Sequence, residues 1–264
     1  MDRQPTTLQL DQSPDGVLTV TLNRPETRNA LNTQMGCDLR EIFAPLVFQA
    51  SDARCIIITG AGDKAFCAGG DLKERNGMTD TDWRAQHAIF EEAIYAIMDC
   101  SVPVVAAVNG AAFGGGCELA LACDFIYAAR SARFALTETS LGIIPGCGGT
   151  QNLPRAVGER RAKELILSAR PFSAEQALAW GMVNEVFEND QLIEKTQEAA
   201  RAVCANGPIA VRQAKKAIHY GLNVDLRTGL AFEIEAYNRT IITEDRLEGV
   251  KAFGEKRKPR FSGK

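Results

Sequence analysis

Histidine is scarce in this chain: His87 and His219 are the only two among 264 residues, which leaves metal coordination little to work with. Paired cysteines are missing as well. Cys37, Cys55, Cys67, Cys100, Cys117, Cys123, Cys147 and Cys204 never form a Cys-x-x-Cys pair, and most lie inside apolar runs. This pattern excludes a zinc ribbon and points to a reduced, intracellular protein with buried thiols and no metal. Nor is there an excess of positive charge. Lys and Arg number 30 against 33 Asp and Glu, a net charge of −3, so nothing draws nucleic acid broadly and an anionic ligand must be held locally. The opening MDRQPTTLQL lacks the layout of a signal or transit peptide, and the final FSGK is not a peroxisomal address, so a cytoplasmic location is expected. Only residues 102–123 are apolar for nearly a membrane's width, and Asn109-Gly110 and Gly114-Gly115-Gly116 would break that helix mid-bilayer.

What is present is an ordinary globular composition, 45% apolar and 24% charged. Thr7–Asp11 and Val17–Asn23 flank the turn sequence Ser-Pro-Asp-Gly and predict an opening hairpin. Leu39, Ile42, Phe43, Leu46 and Val47 recur at helical spacing, with Pro45 set to kink or end that helix early. Cys55–Thr59 and Phe125–Ala128 read as strands. Helices are predicted from Asp82 to Cys100 and then over Arg160–Ser168, Ala174–Trp180, Leu192–Asn206, Pro208–Gly221 and Leu226–Ile242. Strands alternating with helices, followed by a helical last third, predict an α/β fold with parallel strands. Gly60-x-Gly62-x-x-Ala65 loosely matches a dinucleotide fingerprint. It fails on context, because further glycines occupy the positions where a Rossmann helix must start.

The organising stretch is PVVAAVNGAAFGGGCELALACD, Pro103 to Asp124. A β-branched strand turns at Asn109-Gly110 and passes through three glycines into a helix. Glu118 is the only charged side chain between Pro103 and Cys123. No Lys or Arg of that stretch can pair with it, so burying it demands another justification. Glycine-rich loops at Ala68–Asp71 and Gly114–Gly116 both follow apolar segments. At the carboxyl ends of parallel strands, each could offer one free N–H to an oxygen gaining negative charge, such as a thioester carbonyl becoming an enolate, the second reinforced by a helix start. The alternative is that the glycines serve only close packing. Glu138, flanked by Thr137 and Thr139, is the second candidate acid; alone it reads more often as a solvated helix-start residue, and its case depends on Glu118. Two carboxyls facing one water would share a proton, letting one act as base and the other as acid.

AAVNGAAFGGGCELALACD, AFCAGGDLKE and ETSLGIIPGCGGTQNLPR together resemble the enoyl-CoA hydratase (crotonase) family, over a span from about Leu18 to Arg260. DLKERNGM, AKELILSAR, DLRTGL and TEDRLEGVKAFGEKRKPRF are similar to its AU-binding, methylglutaconyl-CoA-hydratase-like branch. The resemblance implies a crotonase-like superhelix of ββα repeats over residues 1–200. It further implies a helical region over 201–264 that caps the site and mediates trimers, usually paired into hexamers. By position, the N–H groups of Gly70 and Gly115 would form an oxyanion hole, Glu118 would activate water and Glu138 would protonate the α-carbon. Arg28, Ala30, Ala68, Asp71 and Leu72, with Gly69 and Gly70 among them, would grip the adenine and pantetheine arm of coenzyme A. Lys73 and, across a subunit boundary, Phe253 and Lys256 would lie near its phosphates, although Lys256 also reads as part of a solvated basic tail with Arg257, Lys258 and Arg260.

The implied reaction adds water across a 2,3-unsaturated acyl-CoA to give a 3-hydroxyacyl-CoA, without metal or redox cofactor. Hydration of 3-methylglutaconyl-CoA, isomerisation or dehydration by the same machinery, and a non-catalytic scaffold are the competing readings. The branch's association with RNA rests on lysines of its first long helix. Here Arg40 is the only basic residue between Asn32 and Ser51, so RNA binding is not expected. Gly70, where the family often carries a larger residue, is expected to loosen the acyl pocket wall.

Overall fold

The computed structural model describes residues 5–49 and 51–264. The opening hairpin pairs β1 (Leu8–Gln12) antiparallel with β2 (Val17–Leu22). Helix α1 (Thr33–Leu46) starts at Asn32, whose side chain accepts the Met35 N–H, and stops one residue after Pro45, as a proline's missing donor requires. A ββα pattern then repeats. Strands β3 (Cys55–Gly60) and β4 (Ala65–Cys67) lead into α2 (Leu72–Arg75) and α3 (Asp80–Met98). Next, β5 (Val104–Val108) and β6 (Ala111–Phe113) lead into α4 (Gly115–Leu121). Finally β7 (Phe125–Ala129) and β8 (Arg133–Ala135) lead through a 3-10 turn at Glu138–Leu141 into α5 (Gly149–Val157) and α6 (Glu159–Ser168). Then come β9 (Phe172–Ser173), α7 (Ala174–Ala179), β10 (Glu185–Phe187), α8 (Leu192–Cys204), α9 (Pro208–Gly221), α10 (Leu226–Ile241) and α11 (Glu244–Gly254).

Each repeat gives its first strand to one sheet and its second to another. The larger sheet runs β1-β2-β3-β5-β7-β10 and is parallel from β2 onward, with Ile57 beside Val105 and Val105 beside Phe125. The smaller runs β4-β6-β8-β9. Every residue of β3 and β5 is buried, the condition under which a strand is apolar continuously rather than alternately. Helix α8 packs on the larger sheet.

The short strands of the smaller sheet, strand β10 and helices α5 and α11 are not predicted from the sequence. Three-residue strands are too brief to display a period. Helix α5 includes Gly149, Thr150 and Pro154, residues that argue against a helix, and is held by burial of Leu153.

Gly116 is where the packing of α4 on the smaller sheet depends on a missing side chain. A Cβ there would lie 2.1 Å from the Cys67 carbonyl oxygen, so α4 crosses β4 at a distance only glycine permits. Gly116→Ala is expected to cost about 3 kcal/mol of stability, near the top of the range for overpacked cores, read as a lower urea midpoint with an unchanged slope. An unchanged midpoint would show that the crossing can relax.

Candidate active site

Glu118, on the first turn of α4, is 2% exposed. Its Oε1 accepts the N–H of Cys147 at 2.7 Å and of Gly149 at 2.8 Å, so the glycine-rich loop before α5 replaces the missing cation. Burial raises its pKa, and those two amides, with Arg75 further off, oppose the rise. Glu138, at the start of the 3-10 turn, is 8% exposed. Its Oε2 is fully buried with no hydrogen-bond partner among the described residues. Burial, opposed by its own N–H and reinforced by the charge of Glu118, pushes this carboxyl up to about 7. One cavity of about 830 Å³ is lined by both glutamates together with Gly69, Gly70, Gly114 and Gly115.

The backbone explains why two amides are available. In the bridge between Leu31 and Gly70, Leu31 N–H donates to Gly69 O and Asp71 N–H to Leu31 O, each at 2.8 Å. A parallel bridge of this register leaves the N–H of Gly70 itself unused. Gly115 is the first residue of α4, a position whose N–H has no partner within the helix. Gly114 aims that amide: its φ of 52° is left-handed, and a Cβ would come within 3.0 Å of Glu138 Oε1. The cavity therefore combines two unsatisfied donors with two carboxyls whose proton affinity is raised. Such a set can stabilise charge on an oxygen and move a proton on either side of it.

A model of the family described as Enoyl-CoA hydratase/isomerase matches residues 12–264. This chain belongs to that family. It is 44% identical over 260 residues to a mouse protein named Methylglutaconyl-CoA hydratase, mitochondrial, spanning 96% of this chain and 82% of that one. A Clostridium acetobutylicum Short-chain-enoyl-CoA hydratase is 41% identical over 242 residues, 92% of each chain. The crystal structure of an enoyl-CoA hydratase from Bacillus anthracis superposes with a TM-score of 0.95 at 47% identity, covering 98% of this chain and all of that one. The family's fold, expected as a superhelix of ββα repeats, is thus the one observed.

Of the residues that the family resemblance singles out, Ala68, Gly69, Gly70, Leu72, Gly115, Glu118 and Glu138 line this one cavity. Arg28 and Ala30 lie on the loop before α1, whose Arg28 O accepts the Ala68 N–H. Asp71 is buried and committed: it accepts from Arg24 at 3.0 Å and caps α2 through the Lys73 and Glu74 amides. Burial opposes its ionisation, but Arg24 and those amides hold its pKa below the usual value. Lys73 is exposed. Phe253 and Lys256, on and after α11, are exposed and outside the cavity of their own chain. Arg75, Trp83 and His87 also line the cavity; the sequence points to the Asp71–Trp83 region and the Asp82–Cys100 helix as walls of the acyl site without singling out these side chains, and His87 reads there as a packing or surface residue. Arg75 is the only arginine between Arg54 and Arg84 and lies beside a candidate loop, a signal that was available. At Gly70, where the sequence suggests a looser wall, a Cβ would meet the Arg75 guanidinium in a tight 3.3 Å contact, so the glycine leaves room for that side chain.

The raised Glu138 carboxyl has a consequence for stability. Between its ordinary 4.5 and about 7, the folded protein holds a proton that the unfolded chain has released, so stability falls as pH rises through that window and levels off above it. Glu138→Gln is expected to remove this loss. The variant should match the parent near pH 4 and exceed it near pH 8 by at most roughly 3 kcal/mol, measured by denaturant unfolding at both pH values. A parent whose stability does not fall across the window would contradict the raised value.

Proposed function

We propose that this protein is a hydro-lyase that adds water across the 2,3 double bond of a 2-enoyl-CoA to give a 3-hydroxyacyl-CoA. Glu118 takes a proton from water as its oxygen bonds to C3. The thioester oxygen, gaining enolate charge, is received by the Gly70 and Gly115 amides, and Glu138 delivers a proton to C2. The observation that carries this reading is the buried, unpartnered Oε2 of Glu138, titrating near 7 in the same cavity as Glu118. Water, acid, base and two amides balance the reaction, so the proposal includes no metal or redox cofactor, and coenzyme A enters as part of the substrate. Incubation with crotonyl-CoA should abolish the absorbance of the conjugated thioester. Turnover of a 3-enoyl-CoA without turnover of crotonyl-CoA would establish an isomerase instead.

The same reading extends to the surroundings. Arg28, Ala30, Ala68, Gly69, Asp71, Leu72 and Lys73 would border the coenzyme A arm, the core would span residues 1–200, and the helices of 201–264 would build a homotrimer or a dimer of trimers. Support comes from α9 and α10, where Pro208 and Ala236 are the only buried residues. Leu222, Leu226, Ile242, Val250 and Phe253, the last 88% exposed, leave an apolar surface that a single chain does not cover. Phe253 and Lys256 would then reach a neighbouring subunit's coenzyme A. Light scattering should give three or six chains per particle, and a monomer at micromolar concentration would remove this part of the reading. No described helix is long and apolar enough to cross a membrane. Eight free cysteines fit a reducing, cytoplasmic compartment, and the proposed reaction would belong to fatty acid metabolism.

A further inference from the structure

The loop that holds Glu118 is gripped at both ends, and only one of the two grips belongs to the machinery described so far. Residues 143–148 form no helix or strand, and Gly148 is left-handed at a φ of 97°, so the loop's own backbone does little to fix its path. At one end, a Cβ on Gly149 would come within 2.9 Å of Glu118 Oε1. At the other, a Cβ on Gly146 would lie 2.5 Å from both Cε1 and Nε2 of His87. The imidazole edge therefore rests on the Gly146 backbone at a distance that only glycine allows.

Helix α3 puts His87 in that place. Phe90, Ala93, Ile94 and Ile97 bury one face of the helix, while His87 and Glu91, one turn apart, both line the cavity. His87 Nε2 lies 3.0 Å from Glu91 Oε1. So exposed a pair adds little stability, but it holds the orientation of the ring. The residue after Gly146 is Cys147, whose N–H donates to Glu118 Oε1 at 2.7 Å, and the Gly149 N–H donates to the same oxygen at 2.8 Å. A continuous line of contact thus runs from the core, through α3 and the imidazole, to the loop and the carboxylate.

We propose that His87 is a positioning residue for the base: it braces the glycine-rich loop at Gly146 and so keeps the Cys147 and Gly149 amides on Glu118. The inference rests on the hydratase reading above and deepens it. Without the ring the loop can withdraw, both hydrogen bonds lengthen, and the carboxylate loses what opposes the effect of its burial. Glu118 then ionises at higher pH. The other charged or titratable groups around it are Arg75 from α2, Glu138 from the 3-10 turn and the thiols of Cys117 and Cys147. Arg75 is held by Gln86 and Trp83 rather than by His87, so it stays in place when the ring is removed. Beside His87 on α3 are Arg84 and Glu91, both at the same cavity.

His87→Ala is expected to lower kcat for crotonyl-CoA by roughly tenfold to a hundredfold, the scale for a catalytic group misplaced by up to about 1 Å. The acid limb of kcat/KM, where Glu118 must lose its proton, should move up by about half a pH unit or more. Gly146→Ala parts the same contact from the loop side; it should reproduce both effects, and it serves in place of His87→Ala should that variant not fold. His87→Gln, neutral but long enough to reach Gly146 and Glu91, should restore the limb, and its failure to do so would assign the effect to the charge of the imidazole instead. In a Glu118→Gln background, His87→Ala should cost less than about threefold more, since the two residues act as a unit. A readout without turnover is the carboxyl resonance of Glu118 in protein carrying isotope-labelled glutamate, identified by its absence from Glu118→Gln; it should titrate at higher pH in His87→Ala than in the parent. An acid limb and a resonance that stay put in both His87→Ala and Gly146→Ala would overturn the inference, and a rise in KM alone would make His87 a substrate contact instead. A parent that hydrates no 2-enoyl-CoA would overturn the hydratase reading only, because the Glu118 titration tests the brace by itself.

Discussion

Replacing either glutamate of the cavity by glutamine is expected to lower kcat for crotonyl-CoA hydration by about 10²–10⁴-fold, the usual contribution of a positioned acid or base, with KM within a few-fold. Glutamine keeps the shape. At position 118 its carbonyl oxygen can still accept the Cys147 and Gly149 amides that Oε1 accepts now, so the loop before α5 stays in place while proton transfer is lost. At position 138 the change removes a carboxyl held near 7 by burial, and with it a second signature. The parent's kcat/KM should decline above about pH 7 as Glu138 loses its proton, and that limb should vanish in Glu138→Gln. The double variant should be little worse than either single one, because the two groups act on one water and one substrate. Activity within tenfold of the parent in both single variants would remove the glutamates from the mechanism.

Gly115→Pro should lower kcat by about 10²–10³-fold, equivalent to roughly 2.7–4 kcal/mol for one oxyanion donor. The substitution removes the donor and sets the ring Cδ where the N–H pointed, so its effect includes the loss of that space. Gly115 opens α4, and proline is well tolerated at the first residue of a helix, where the missing N–H breaks no helical bond. Its added carbons meet the tip of Leu31, whose Cδ1 would lie 3.2 Å from a Cβ. Gly115→Ala makes that same contact and keeps the amide, so it should retain activity within about tenfold. Equal losses in the two variants would mean that the contact with Leu31, not the donor, carries the effect. Crotonyl-CoA kinetics with a thermal melt for each variant separate these outcomes.

Part of this site was legible before any coordinates. Glu118 stands out because a lone carboxylate in an apolar helix needs a reason. The glycines at 69, 70 and 114–116 stand out because two loops after apolar segments suggest paired amides. What compensates Glu118 was not legible. Its partners are main-chain N–H groups of Cys147 and Gly149, about thirty residues away, and every residue but proline has such a group, so nothing in the side-chain pattern marks them. Arg75 escaped for the related reason that an arginine in a polar stretch looks solvated until Trp83, Gln86 and Phe90 are brought around it.

The hairpin, the buried strands, the long helices and Glu118 as a candidate acid follow from the sequence alone, because each depends on local periodicity, turn chemistry or the cost of burying charge; Glu138 became a candidate only beside Glu118 and through the family resemblance. The second sheet, the helix after the glycine-rich loop, the joining of both glutamates to one cavity and the placing of a guanidinium against Gly70 were decided by tertiary structure. Those features depend on backbone groups and side-chain ends meeting across 30 or more residues of chain in several cases, and the energy of such meetings is not written in any single stretch.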